Sequence, residues 1–344
     1  MNKFIANILN AVLCDNLVIV MRCLDELCKH NIANNIIEIA KSIAKHHQLA
    51  QSQVLKSSGG YRYCIKLPLL EIIDWARPQN GVPHLFIQVA PYAENRPFIR
   101  LSFNGFPLKR KHFFIARQWL EHIVSDHGLL ASDNMKVTAV DIAHDLAIQI
   151  NELSFNLAKS QTSMIAFAKN GDIGSYYFGN RKAKFRLVAY DRTANCKAKN
   201  LMTTGEPETR LEAQLKPNCM LHELSAFLGP CDYLKRIEVY DLNALKSLTN
   251  LHPHTIIAII AYGLKPALQR LPKDERRKMK RYIEKCRLMP LKSEEIKEAV
   301  HKELLNVKGL MMEHSNKASK HSQPYKLRAK FNELYSMLIK NVSK

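Results

Sequence analysis

Near the start of the chain, apolar residues recur three and four positions apart, through Ile8, Leu9, Val12 and Leu13, then through Leu24, Leu27, Ile36, Ile37, Ile39 and Ile43. That period places apolar side chains on one helical face, so the segment up to about Lys56 predicts helix. Ser57, Ser58, Gly59 and Gly60 break the pattern and read as a linker, which bounds a small helical unit at 1–58. The pattern then changes. Short runs rich in aromatic and β-branched residues alternate with turn signals at 61–67, 85–90, 98–103, 136–148, 176–178, 184–190 and 209–215. A helix over 111–125, with Phe114, Trp119 and Ile123 for a buried stripe, separates the third run from the fourth. Strands outnumbering helices, joined by connections of antiparallel length, predict an α+β domain on a central antiparallel sheet, spanning 59–245. From Leu242 the helical period returns. A polar loop is expected at 313–323 and a last helix at 325–339, within a basic helical region at 246–344.

Composition sharpens this outline. With 47% hydrophobic residues in 344, the chain can bury a core, which excludes global disorder. Lys and Arg number 51 against 31 Asp and Glu, a net charge of +20. From Lys265 to the end there are 21 Lys and Arg against 9 Asp and Glu, so +12 of that excess lies in the last quarter. Such a field suits polyanions, with nucleic acid as the first reading and a solvated basic surface as the second. The run Asp274-Glu-Arg276-Arg277-Lys278-Met-Lys280-Arg281 is the densest part and the expected DNA-positioning helix. No RNA-recognition motif accompanies the charge. The eight cysteines form no CxxC pair, which argues for reduced thiols and against a zinc site. The N-terminal 21 residues are interrupted by Asn7, Asn10, Asp15 and Asn16, unlike a signal peptide, and 256–264 is too short to span a bilayer. A cytoplasmic protein that does not enter the membrane is expected.

Three strand segments carry candidate chemistry. In Val137-Thr-Ala-Val-Asp141-Ile-Ala-His144-Asp145, alternation puts Asp141 and Asp145 on one face and His144 on the other. Two carboxylates on an otherwise apolar strand serve a metal or cations, or mark a solvated strand end. In Glu208-Thr-Arg210-Leu-Glu212-Ala-Gln214-Leu-Lys216, Arg210, Glu212, Gln214 and Lys216 share a face opposite Leu211, Ala213 and Leu215. This is either a face mixing a metal ligand with phosphate-binding cations or a plain amphipathic surface strand. Tyr176-Tyr177-Phe178-Gly179-Asn180-Arg181 followed by Phe185-Arg186-Leu-Val-Ala-Tyr190-Asp191-Arg192 reads as two strands around a turn at Gly179.

Taken in order, Asp141-Ile-Ala-His-Asp145, Tyr177-Phe-Gly179-Asn-Arg181, Tyr190-Asp191-Arg192 and Arg210-Leu-Glu212-Ala-Gln214-Leu-Lys216 resemble the Rep_trans family of plasmid and phage replication initiators, over residues 60–245. The resemblance implies a sheet fold related to the HUH endonucleases, and a protein that binds origin DNA, as duplex and single strand, and nicks one strand for rolling-circle replication. It implies Asp141, Asp145 and Glu212 around Mg²⁺ or Mn²⁺, with Arg181, Arg192, Arg210 and Lys216 holding phosphates. A tyrosine would attack phosphorus and leave a 3′-OH primer, with a host helicase or polymerase as further partners. Gln214 replaces the family's second glutamate, and Asn180 its serine. The segment 217–224, where some relatives carry the nucleophile, has His222 and no tyrosine; Tyr233, in Gly229-Pro-Cys-Asp-Tyr233, is the first candidate and Tyr240 the second. His252-Pro253-His254 is similar to the paired histidines of HUH nucleases, but it falls at an expected helix start. The competing function is a non-catalytic DNA-binding regulator or plasmid maintenance protein of the same fold.

Overall fold

A computed structural model describes residues 13–69, 83–104, 108–124, 127–157, 163–198, 206, 208–228, 237–247, 252–288, 298, 301–302, 305–307 and 310. In chain order its elements are β1 (Leu13–Met21), α1 (Glu26–His46), α2 (Gln51–Val54), β2 (Leu55–Ser58), β3 (Tyr61–Pro68), β4 (His84–Pro91), β5 (Ile99–Asn104), α3 (Arg110–Ile123) and β6 (Lys136–Leu146). There follow β7 (Leu153–Leu157), β8 (Ser163–Phe167), β9 (Ile173–Phe178), β10 (Phe185–Asp191), α4 (Arg192–Ala198), β11 (Thr209–Leu215), β12 (Cys219–Met220) and α5 (Leu224–Leu228). The chain continues through β13 (Ile237–Asp241), α6 (Leu242–Lys246), α7 (Pro253–Tyr262), α8 (Leu264–Gln269), α9 (Lys273–Lys285) and β14 (Arg287–Leu288). Two compact units emerge. One gathers Leu13–Val140, Lys216–Gly229 and Val300–Lys344, the other Met1–Val12, Asp141–Leu215 and Pro230–Ala299.

In the first unit the strand order is β2-β3-β4-β5-β1-β6, with β12 also paired to β6. The pairs β2/β3, β3/β4, β4/β5, β1/β5 and β6/β12 are antiparallel. The segment expected to open with helix instead supplies β1, registered against β5 with Leu17 opposite Phe103. Its residues Leu17, Val18, Ile19, Val20 and Met21 are all buried. A run buried on both faces shows no alternation, and its β-branched residues prefer the strand. The helix begins only after Asp25, whose carboxylate accepts from the Leu27 backbone N–H as an N-cap. Leu24 and Leu27, expected on the buried stripe, are exposed. Helix α1 packs on β3, β4 and α3, so the N-terminal segment is no separate unit. Nor is 57–60 a linker. Gly59 and Gly60, at φ +62° and +82°, form the two-residue turn of the β2–β3 hairpin. Both helices share one sheet face: Phe113 of α3 lies 5.2 Å from Phe103 of β5, and Asn35 of α1 donates to the Ile123 carbonyl.

In the second unit the latter half of β6 leads the order β6-β11-β10-β9-β8, and β14-β13-β7 forms a smaller sheet. The β8/β9, β9/β10 and β10/β11 pairs are antiparallel. Phe155 of β7 meets Tyr176 of β9 at 4.8 Å, and the Tyr176 hydroxyl donates to the Leu153 carbonyl. The expected boundary at 245 is not a break. Tyr240 of β13 is buried in one cluster with Leu242, Leu245, Ile259, Leu268 and Ile283 of the helices, and Asp241 at the end of β13 caps α6. Short helices with one apolar stripe each need that strand to complete a core. The expected loop at 313–323 and helix at 325–339 lie outside the described residues. Among those described, no helix is long and apolar enough to cross a membrane.

Placing β1 inside the sheet has a measurable consequence. Ile19→Ala will lower the unfolding free energy by about 2–4 kcal/mol, the cost of a cavity at a fully buried site. Leu24→Ala, at 87% exposure, will change it by no more than about 0.5 kcal/mol. Urea denaturation of both variants measures the difference, and equal effects would contradict the strand.

Candidate functional site

Strand β11 alternates as its sequence predicts, and its polar side turns inward toward β6. Arg210 Nε donates to Asp145 Oδ1 at 2.7 Å and Arg210 Nη2 to Oδ2 at 2.9 Å, a bidentate pair. Arg192, the first residue of α4, sets its Nη1 2.8 Å from Asp145 Oδ2 and 2.5 Å from Glu208 Oε2. Its backbone N–H donates to the Glu208 carbonyl, which fixes the start of α4 against β11. The Asp145 and Arg210 side chains are only 6% and 7% exposed, so neither charge could be kept there alone. Two cations and two carboxylates close a neutral quartet.

One step along the same face, Glu212 is buried and accepts from the Tyr190 hydroxyl at 3.2 Å and from Gln214 Nε2 at 2.6 Å. Register places Arg186 opposite Gln214, and Val188 opposite both Glu212 and Tyr177. The Arg186 guanidinium lies 4.5 Å from the centroid of the Tyr177 ring, within cation–π range. Exposure grows in this direction, from buried Arg210 through half-buried Tyr177 to exposed Met164 on β8. Tyr176 points the other way. It is a core residue, and burial pushes its hydroxyl far above the ordinary tyrosine value.

The expected site residues are thus brought together in part. Asp145, Arg192 and Arg210 converge, but on one another. Glu212 lies on the same face as Arg210, and Asp141 is half-buried on β6. Among the described residues no three His, Cys, Asp or Glu side chains are grouped to hold a metal ion. With Asp145 taken by two arginines, the described acids do not fit a resident Mg²⁺ or Mn²⁺. Arg192 and Arg210, expected to grip phosphate, are spent on carboxylates. Arg181 and Lys216 are exposed. On α9, Arg276 turns inward and Nη2 donates to the Gln269 and Leu271 carbonyls at 3.0 Å, closing the end of α8. Arg277, Lys278, Lys280 and Arg281 are exposed, and none forms an ion pair among the described residues. Tyr233 lies outside the described residues. Tyr240 is buried, its hydroxyl donates to Glu238 at 3.1 Å, and burial together with that carboxylate pushes it well above the ordinary value. Both are unfavourable to a ready nucleophile. His252 caps α7, as its place before Pro253 suggests, and His144 is buried. Sequence reasoning passed over Glu208, although alternation sets it on the Arg210 face two residues before.

No family model matches this sequence, and no curated protein matches it. Among solved structures, the rolling circle replication initiator protein from Geobacillus stearothermophilus is 13% identical, matched over 60% of this chain and 74% of that one with a TM-score of 0.31. That distance transfers neither a residue role nor an activity.

The quartet makes its own prediction. Asp145→Ala will destabilise the protein by about 3–5 kcal/mol by stranding a buried guanidinium. Pairing Asp145→Leu with Arg210→Met will recover most of that loss, because Arg192 keeps Glu208. A thermodynamic cycle in urea reads the coupling. A solvated strand-end acid would give no more than about 0.5 kcal/mol, and a metal ligand would make wild-type melting rise with added Mg²⁺ or Mn²⁺.

Proposed function

We propose that this chain is a replication initiator of a plasmid or phage that binds its origin DNA and opens one strand there. The observation that carries the reading is the row of cations on α9, where Arg277, Lys278, Lys280 and Arg281 face solvent with no carboxylate partner among the described residues. Unmatched cations on one helix are an electrostatic footprint for phosphates, and the net charge of +20 extends it. The ordered strand motifs supply the initiator half of the reading. Nicking is its catalytic half. A tyrosine hydroxyl attacks phosphorus and gives up its proton, the P–O3′ bond breaks, and the departing oxygen is protonated to the 3′-OH that primes a host polymerase. Tyr233 is the candidate for that role. No step is assigned to a metal, since the described acids do not fit one.

A second reading, a non-catalytic DNA-binding regulator or maintenance protein, gains support from the closed Asp145 quartet, which leaves that acid nothing to offer a reaction.

Two experiments test these readings. Replacing Arg277, Lys278, Lys280 and Arg281 with alanine will weaken DNA binding and reduce the slope of log K against log salt by up to about 4. A slope unchanged by the substitutions removes α9 from the interface. Supercoiled plasmid carrying the DNA that flanks the encoding gene, incubated in parallel with and without Mg²⁺ or Mn²⁺, will relax and yield a covalent protein–DNA adduct that Tyr233→Phe abolishes. A mobility shift without relaxation selects the regulator, and an undiminished adduct excludes Tyr233.

A further inference from the structure

Helices α1 and α3 cover one face of the β2–β5 sheet, and the opposite face bears an unusual set of side chains. Register places Lys56 of β2 opposite Cys64 of β3, Lys66 of β3 opposite Phe86 of β4, and Gln88 of β4 opposite Arg100 of β5. Residues opposite one another point to the same side, and so do alternate residues of one strand. Lys56, Arg62, Lys66 and Arg100 therefore share a face with Phe86. Lys56, Arg62 and Lys66 are exposed, Arg100 and Phe86 half-buried. Among the described residues none of the four cations meets a carboxylate, and Arg100 donates instead to the neutral Gln88 amide. Their charges act on one another. Burial first, and then the nearby Lys56, pull the Lys66 ammonium below its ordinary value; Lys56 and Arg100 both oppose the rise that burial causes in the Cys64 thiol. A protein gains nothing in stability from a cluster of like charges, so the arrangement asks for an anionic partner.

The flat rings narrow the choice of partner. Lys66 Nζ lies 5.7 Å from the Phe86 centroid, and the Arg62 guanidinium lies 5.7 Å from that of Tyr92, which is 62% exposed just beyond β4. An acidic peptide would match the charges and leave the rings unused, while a duplex keeps the faces of its bases stacked inside. An unpaired strand offers both phosphates and open base faces. Neighbouring strands about 5 Å apart, with same-face residues about 7 Å apart along each, let successive phosphates meet separate cations.

We infer that this sheet face is a platform for single-stranded DNA, with Lys56, Arg62, Lys66 and Arg100 holding phosphates and Phe86 and Tyr92 stacking on unpaired bases. The inference rests on the origin-DNA reading and adds a contact that α9, in the other unit, does not supply. Binding of the full chain to a mixed-sequence oligonucleotide of about 20 nucleotides, as single strand and as duplex, tests it by fluorescence polarisation. Lys56→Ala combined with Lys66→Ala will weaken single-strand binding about tenfold and lower its salt slope by about 1.4, with less than about a twofold change on duplex. Phe86→Ala will cost about tenfold without altering the slope. The lysine pair variant will melt no lower than wild type, since its loss relieves repulsion. Single-strand binding by both variants equal to wild type would overturn the platform and leave the origin-DNA reading intact. Wild type that binds neither DNA would overturn both. Equal losses on duplex and single strand, or tighter wild-type binding to RNA of the same sequence, would overturn the assignment to single-stranded DNA.

Discussion

Arg210 can occupy the centre of the β6–β11 pair only because Asp145 meets it with both carboxylate oxygens. A guanidinium that is 7% exposed would otherwise carry a desolvation penalty that no neighbouring packing could offset. Arg192 and Glu208 extend the same solution to the surface, tying the first turn of α4 to the start of β11. Strand pairing, helix placement and charge balance on this face are therefore one interaction seen from three sides. Replacing Arg210 by lysine would not be equivalent, because an ammonium cannot offer two parallel N–H groups to one carboxylate.

A closed quartet also decides what the face cannot do. Its charges cancel locally, so little field escapes toward a polyanion. Cations without a carboxylate partner among the described residues stand elsewhere, four on the outer side of α9 and four on one face of the β2–β5 sheet. Arg276 shows that sequence clustering alone does not assign a cation to that field. It stands within the basic run, yet two carbonyls at the end of α8 claim it. The distinction is geometric, since position 276 falls on the side of α9 that also carries Met279 and the buried Ile283.

Local signals are legible where side chains alternate between two different environments. Strand β11 has the limits 209–215 that its Arg-Leu-Glu-Ala-Gln-Leu alternation indicates, and β3, β4, β5, β9 and β10 fall within a few residues of their expected places. Strand β1 leaves no such signal, because 17–21 is buried on both sides and shows no period, and helical spacing of apolar residues lies just before and after it. In the Ser-Ser-Gly-Gly run the turn was legible but not its consequence, because a linker and a tight hairpin use the same glycines. Alternation likewise placed Arg210 and Glu212 on one face. Which partners they take depends on which strands become neighbours, and two residues 65 positions apart in the chain, Asp145 and Arg210, leave no local trace of their pairing. Tyr176 and Tyr177 illustrate the same limit. Parity says that they point oppositely, and only packing against Phe155 says which one enters the core.

The remaining polar groups on the β9–β11 face meet neutral partners in the contacts described. Glu212 is held by a phenol and an amide, and Arg186, opposite Gln214 on the neighbouring strand, rests on an aromatic ring. Such a face gains little from phosphate, but its hydrogen-bonding groups sit in fixed positions and can discriminate between ligands that present different edges. On the proposed reading, affinity and selectivity would arise in different places. Uncompensated cations on α9 and on the β2–β5 face would supply attraction that weakens with salt, and the neutral face would supply the shape and bonding pattern that such attraction lacks. Buried arginines could serve a polyanion only if they were left unpaired, and the Asp145 quartet is the structural reason that Arg192 and Arg210 are not.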